Sequence, residues 1–75
     1  MMNEIEMVLR RIKGKLEQRF IERRRVPKNK KEVRDFAYSY LTMFKSRFAN
    51  DDYAKMETIV ETMVTEIMNL HKQAA

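Results

Sequence analysis

The chain has no cysteine and no tryptophan, and it holds only one glycine, one proline and one histidine. Without cysteine no disulfide can brace it, and the absence fits a reducing compartment. With His71 as the sole histidine there is no Cys/His cluster for a structural metal. A single glycine excludes a phosphate-cradling glycine loop. One glycine and one proline also leave little material for the turns of a sheet protein. No apolar run approaches the roughly 18 residues of a membrane span. The opening "MMNEIEMVLRR" carries acids where a secretion signal needs basic residues. These features predict a cytoplasmic chain without a cofactor or a metal.

What the chain does have is charge and methionine. Charged residues make up 36% of its 75 residues and seven of them are Met, a composition of long helices. Residues 1–75 read as one all-α domain. A lone core of this size barely offsets chain entropy, so very regular helix packing or association with another chain must supply the rest.

Three helices emerge from periodicity. Asn3 followed by Glu6 has the spacing of a capping box. Ile5, Val8, Leu9, Ile12, Leu16 and Phe20 then fall on one face, which predicts a helix over about 3–25 that stops before Pro27. Asn29 and Glu32 repeat the box ahead of Val33, Phe36, Ala37, Tyr40, Leu41, Phe44 and Phe48, predicting a second helix over about 30–48. "AND" reads as a turn, with Asp51 or Asp52 capping a third helix over about 52–71. Met56, Val60, Met63, Ile67 and Leu70 give that helix a heptad-like stripe, widened by Ile59 and Val64. It should fade near Lys72, leaving "QAA" frayed.

Some apolar residues remain once each main stripe is turned inward. Met7, Gly14 and Ile21 recur every seven residues opposite the core face of the first helix, where the glycine would admit a close neighbour. Phe36 and Met43 lie together on one flank of the second helix, and Met68 points away from the stripe of the third. Together these six residues predict an interface, and with it a homodimeric helical bundle. Most of the aromatic residues, six of which lie between Phe36 and Tyr53, belong in the core; Tyr38 alone, set among basic residues, is a candidate for stacking on a base.

Charge is unevenly spread. Residues 10–34 carry twelve Arg or Lys against Glu17, Glu22 and Glu32, whereas residues 50–75 carry two Lys against five acids. Seven of the twelve residues in "RRRVPKNKKEVR", Arg23 to Arg34, are basic. Cations at the end of a helix suit its dipole, but Lys30 and Lys31 stand at a helix start, where only another partner would favour them. Arg19 and Arg23 continue the core stripe after Leu16, so either the helix projects there or the arginines lie over Phe20. Arg19, Arg23, Arg24, Arg25, Lys28, Lys30, Lys31 and Arg34 are therefore the candidate phosphate contacts for DNA or RNA. The competing readings are charge that is solvated or paired within the chain, a membrane-surface role, and an acidic protein partner.

A helix-turn-helix reading of the second and third helices fails on "ETIVETMVTEIM", which offers acids where base edges need Arg or Gln. Catalysis has little to work with. Thr58, Thr62 and Thr65 share a polar face without a base, and His71 sits at a stripe edge as a structural or exposed residue. The expectation is a non-enzymatic nucleic-acid binder or accessory regulator with little sequence readout. The alternative is a protein-interaction module, an adaptor or inhibitor that docks a partner through a Met/Phe helix face.

Overall fold

The computed structural model describes residues 3–74, with the side chains of Gln73 and Ala74 left aside. Three α-helices form: α1 (Glu4–Glu17), α2 (Lys30–Leu41) and α3 (Asn50–Ala74). Each of the three packs against the other two. No strand forms among the described residues, so the all-α, three-helix expectation holds. The bundle extends 39 × 25 × 17 Å, the long axis set by the 25 residues of α3 at about 1.5 Å each.

Both Asn caps work as their spacing predicts. Asn3 Oδ1 accepts the Glu6 amide at 2.8 Å, and Asn29 Oδ1 accepts the Glu32 amide at 3.0 Å. Glu32, however, reaches one residue past the cap: its Oε2 accepts the Lys28 amide at 2.6 Å.

The first helix departs from expectation at its end. After Glu17 the chain widens into a π-helical turn over Gln18–Glu22, and helical structure stops there rather than at residue 25. The Arg23 amide bonds the Gln18 carbonyl (3.0 Å) and the Arg24 amide bonds the Ile21 carbonyl (3.2 Å). The Phe20 carbonyl between them is taken by His71 Nε2, which donates at 2.7 Å from α3. Arg24 then adopts a left-handed backbone at φ 52, the reversal that ends many helices and that glycine adopts without strain. The wider turn rotates the positions after Leu16. Phe20 is wholly buried, while Arg19 is half-buried and Arg23 exposed.

Following Leu41, the chain tightens into a six-residue 3₁₀ segment, Thr42–Arg47. The Thr42 hydroxyl donates to the Tyr38 carbonyl at 2.8 Å, competing with the α-helical ladder just where the winding changes. Phe48 is extended and closes the segment. Arg47 pairs with Glu4, tying this segment back to the start of α1.

The third helix begins earlier than expected. The Tyr53 amide bonds the Ala49 carbonyl at 2.9 Å, so Asp51 and Asp52 lie inside the first turn, not at the cap. There they still favour the positive end of the helix dipole. The helix also runs past Lys72 to Ala74; Ala75, in the stretch expected to fray, lies outside the described residues. Its buried face is Tyr53, Met56, Val60, Val64 and Ile67, with His71 half-buried next in line. Those steps of 3, 4, 4, 3 and 4 average 3.6, the period of a straight helix, where a heptad would give 3.5. Met63 is accordingly only half-buried, and Leu70, expected inside, is 49% exposed.

The core joins Val8, Leu9, Ile12, Leu16 and Phe20 of the first helix to Val33, Ala37 and Leu41 of the second and to the α3 stripe. Burying a side chain of Leu, Ile, Val, Phe or Met size contributes about 1.5–3 kcal/mol, so this cluster is the main source of stability.

Candidate functional site

The basic junction proves to be partly self-neutralised. Arg25 Nε lies 3.8 Å from Glu32 Oε1, and Lys31 Nζ lies 3.1 Å from Asp35 Oδ2 one helical turn on. Arg34 Nε meets Glu61 of α3 at 2.7 Å. The Arg34 guanidinium also lies 5.4 Å from the centre of the Tyr38 ring, and the Tyr38 hydroxyl donates to the same Glu61 carboxylate at 3.0 Å. Burial, followed by that hydrogen bond to Glu61, raises the Tyr38 pKa above its ordinary value. Glu61 in turn holds Arg34 more firmly protonated. Tyr38, the candidate for base stacking, is thereby engaged within the chain. Arg24, Lys28 and Lys30 are exposed and pair with no acid among the described residues.

A different arrangement runs along the first helix. Arg11, Lys15, Arg19 and Arg23 are spaced four residues apart and border the groove between α1 and α2. None of them forms an ion pair among the described residues. The Arg19 guanidinium lies 4.7 Å from the centre of the Phe36 ring and 5.8 Å from that of Phe20. Its Nε is buried without a hydrogen-bond partner, so the rings hold the fork in place of an acid. Phe36 itself is braced edge-to-face by Phe20 at 5.6 Å and by Tyr40 at 5.4 Å. A cavity of about 230 Å³ opens between Lys15, Gln18, Arg19 and Arg23 on one wall and Phe36 and Tyr40 on the other. No carboxylate lines it. Like charges one turn apart on a helix destabilise it by about 0.2–0.5 kcal/mol per pair. Arg11 and Lys15 form such a pair within α1, and an anion in the groove would relieve it.

Of this row, Arg19 and Arg23 are among the residues expected from the sequence, whereas Arg11 and Lys15 are not. Their four-residue spacing was the signal available. The choice between a projecting helix end and arginines laid over Phe20 resolves for Arg19 as stacking on both Phe36 and Phe20.

The residues expected at an interface do not share one face. Phe36 and Met68 are half-buried against the core. A methyl group at Gly14 would meet open space among the described residues, so no other described helix approaches it. Met7, Ile21 and Met43 are exposed at 57%, 42% and 72%. Met43 lines the α1/α2 groove beside Arg11 and Phe44, whereas Ile21 lines a second groove, between α1 and α3, with Leu16, Met63, Ile67 and Leu70.

Thr58, Thr62 and Thr65 each donate a hydroxyl to the carbonyl four residues back. Among the described residues no group of three or more His, Cys, Asp or Glu could hold a metal ion, and no helix is long and apolar enough to cross a membrane. Comparisons with family models, with curated proteins and with solved structures find no match for the chain, so its chemistry rests on its own residues.

Proposed function

We propose that the protein is a non-enzymatic, cytoplasmic nucleic-acid binder or an accessory regulator acting on nucleic acid, holding phosphates with little sequence readout. The observation that carries this reading is the unpaired row Arg11, Lys15, Arg19 and Arg23 around a groove without carboxylates. Arg24, Lys28 and Lys30 are unpaired among the described residues as well but lie outside the lining of this groove. Phosphate contacts of this kind supply affinity that depends on salt and carries little sequence information. Fluorescence anisotropy of labelled mixed-sequence DNA and RNA at about 50 and 200 mM salt tests it. Binding that weakens steeply with salt is expected; no binding at the lower salt refutes the reading.

A second reading rests on the α1/α3 groove. Ile21 and Leu70 are 42% and 49% exposed there, beside the half-buried Met63, and flexible Met suits an adaptable docking surface. A second copy of the chain or a partner helix would cover these residues, making the protein a homodimer or an interaction module. Sedimentation equilibrium of the wild type and of Leu70→Glu at rising concentration separates the outcomes. A dimer lost in Leu70→Glu supports a self-interface, and a monomer throughout removes it.

A further inference from the structure

The geometry points to a single-stranded nucleic acid as the ligand of the α1/α2 groove, its phosphates on the Arg11–Lys15–Arg19–Arg23 row and a base against Tyr40. The inference rests on the nucleic-acid reading above and narrows it to one form of the polymer.

Two adjoining cavities make up the groove. The first is the basic one, of about 230 Å³, bounded by Lys15, Arg19, Arg23, Phe36 and Tyr40. The second, of about 230 Å³ as well, is bounded by Arg11, Lys15, Tyr40, Met43 and Phe44 together with core residues of α1. Lys15 and Tyr40 belong to both. One wall is therefore cationic along its length and the other is aromatic and thioether. Arg11 and Lys15 lie about 6 Å apart along α1, and the π turn carries the row on to Arg19 and Arg23.

This pairing of walls matches what a single strand presents and a duplex hides. A strand offers a charged backbone on one edge and unstacked bases on the other, and proteins that bind it combine a positive groove with aromatic rings. A duplex keeps its bases stacked inside and would meet only the cations, leaving Tyr40, Phe44 and the 72%-exposed Met43 without a role. Tyr40 is half-buried, held by Phe36, and its hydroxyl has no hydrogen-bond partner among the described residues. Tyr38 differs, since Arg34 and Glu61 engage it. Arg19 is held in one orientation by Phe36 and Phe20, which prepares it for an anion.

The test is anisotropy with a single strand and a duplex of about 15 nucleotides, on wild type, Tyr40→Phe and Tyr40→Leu, with circular dichroism to check the fold. The single strand should bind at least about tenfold tighter than the duplex. Tyr40→Leu should weaken strand binding about tenfold and leave duplex binding unchanged, and Tyr40→Phe should retain the preference. Should Tyr40→Leu unfold, photocrosslinking of an iodouracil-containing strand to the wild type replaces it, with the adduct expected on Tyr40 or Phe44. Equal affinity for both polymers, a duplex preference or adducts confined to residues 24–31 would overturn the single-strand inference while leaving nucleic-acid binding standing. Absence of any binding at low salt would overturn both.

Discussion

Two basic stretches follow one another along the chain, and the fold treats them differently. From Arg25 to Arg34, three cations find acids: Glu32, Asp35 and, across the bundle, Glu61. From Arg11 to Arg23, the cations that border the α1/α2 groove find none, because the facing wall is Phe36, Tyr40, Met43 and Phe44. The denser stretch in sequence is thus the one more neutralised in three dimensions. Charge density along a chain measures supply; the residues on the neighbouring helix decide how much remains for a ligand. Exposed ion pairs such as Lys31–Asp35 contribute little stability, so their main consequence here is to reduce the charge available outside.

The largest expected effect separates the two stretches directly. Lys15→Glu combined with Arg23→Glu should weaken oligonucleotide binding about a hundredfold at moderate salt, measured by anisotropy, with helix content unchanged. Next comes the brace that shapes the end of the groove row. His71→Leu removes the donor to the Phe20 carbonyl and should lower unfolding stability by about 2 kcal/mol in a urea titration, because a backbone acceptor near the core loses its partner. Arg24→Gly should act the other way. Relief of the left-handed backbone should raise stability by about 1 kcal/mol, seen as a higher melting temperature. The smallest effect belongs to two tyrosines beside acids of α3. Tyr38 and Tyr53 both have pKa values raised above the ordinary 10.0, each by burial first, with Glu61 adding to Tyr38 and Glu57 to Tyr53. Below that pH both tyrosines are neutral in folded and unfolded chains, so they impose no pH dependence. Above it the unfolded chain loses its protons first, and stability falls as pH rises. Tyr38→Phe with Tyr53→Phe should flatten that decline in melting curves taken from about pH 9 to 11.

Much of the fold was legible because local signals agreed. The two Asn-x-x-Glu spacings, the proline between the first two helices and the 3.6-residue periodicity all pointed to three helices, and both caps form. What the sequence hid depends on interactions between distant residues. His71, 51 positions after Phe20, donates to the carbonyl that the end of the π turn leaves without a helical partner. Leu70, which a heptad reading placed in the core, is exposed because the buried positions of α3 keep a period of 3.6. Val64 is wholly buried and Met63 half so because α3 packs on two helices and keeps a straight-helix period over 18 residues. For the candidate site, Arg19 and Arg23 could be named from their angle after Leu16. Arg11 and Lys15 emerge only when α2 supplies the opposite wall. The pairing of Arg34 with Glu61 was equally invisible, since nothing local links the two.

The most direct test compares salt dependence in two double variants, Lys15→Gln with Arg23→Gln in the groove and Lys28→Gln with Lys30→Gln in the junction. Each phosphate that is no longer neutralised should lower the slope of log affinity against log salt by about 0.7–0.9. The groove variant should therefore lose about 1.5 from the slope, while the junction variant stays close to wild type and within about threefold in affinity. A groove variant that behaves like wild type, with the loss confined to Lys28 and Lys30, would contradict the assignment and return the ligand to the junction.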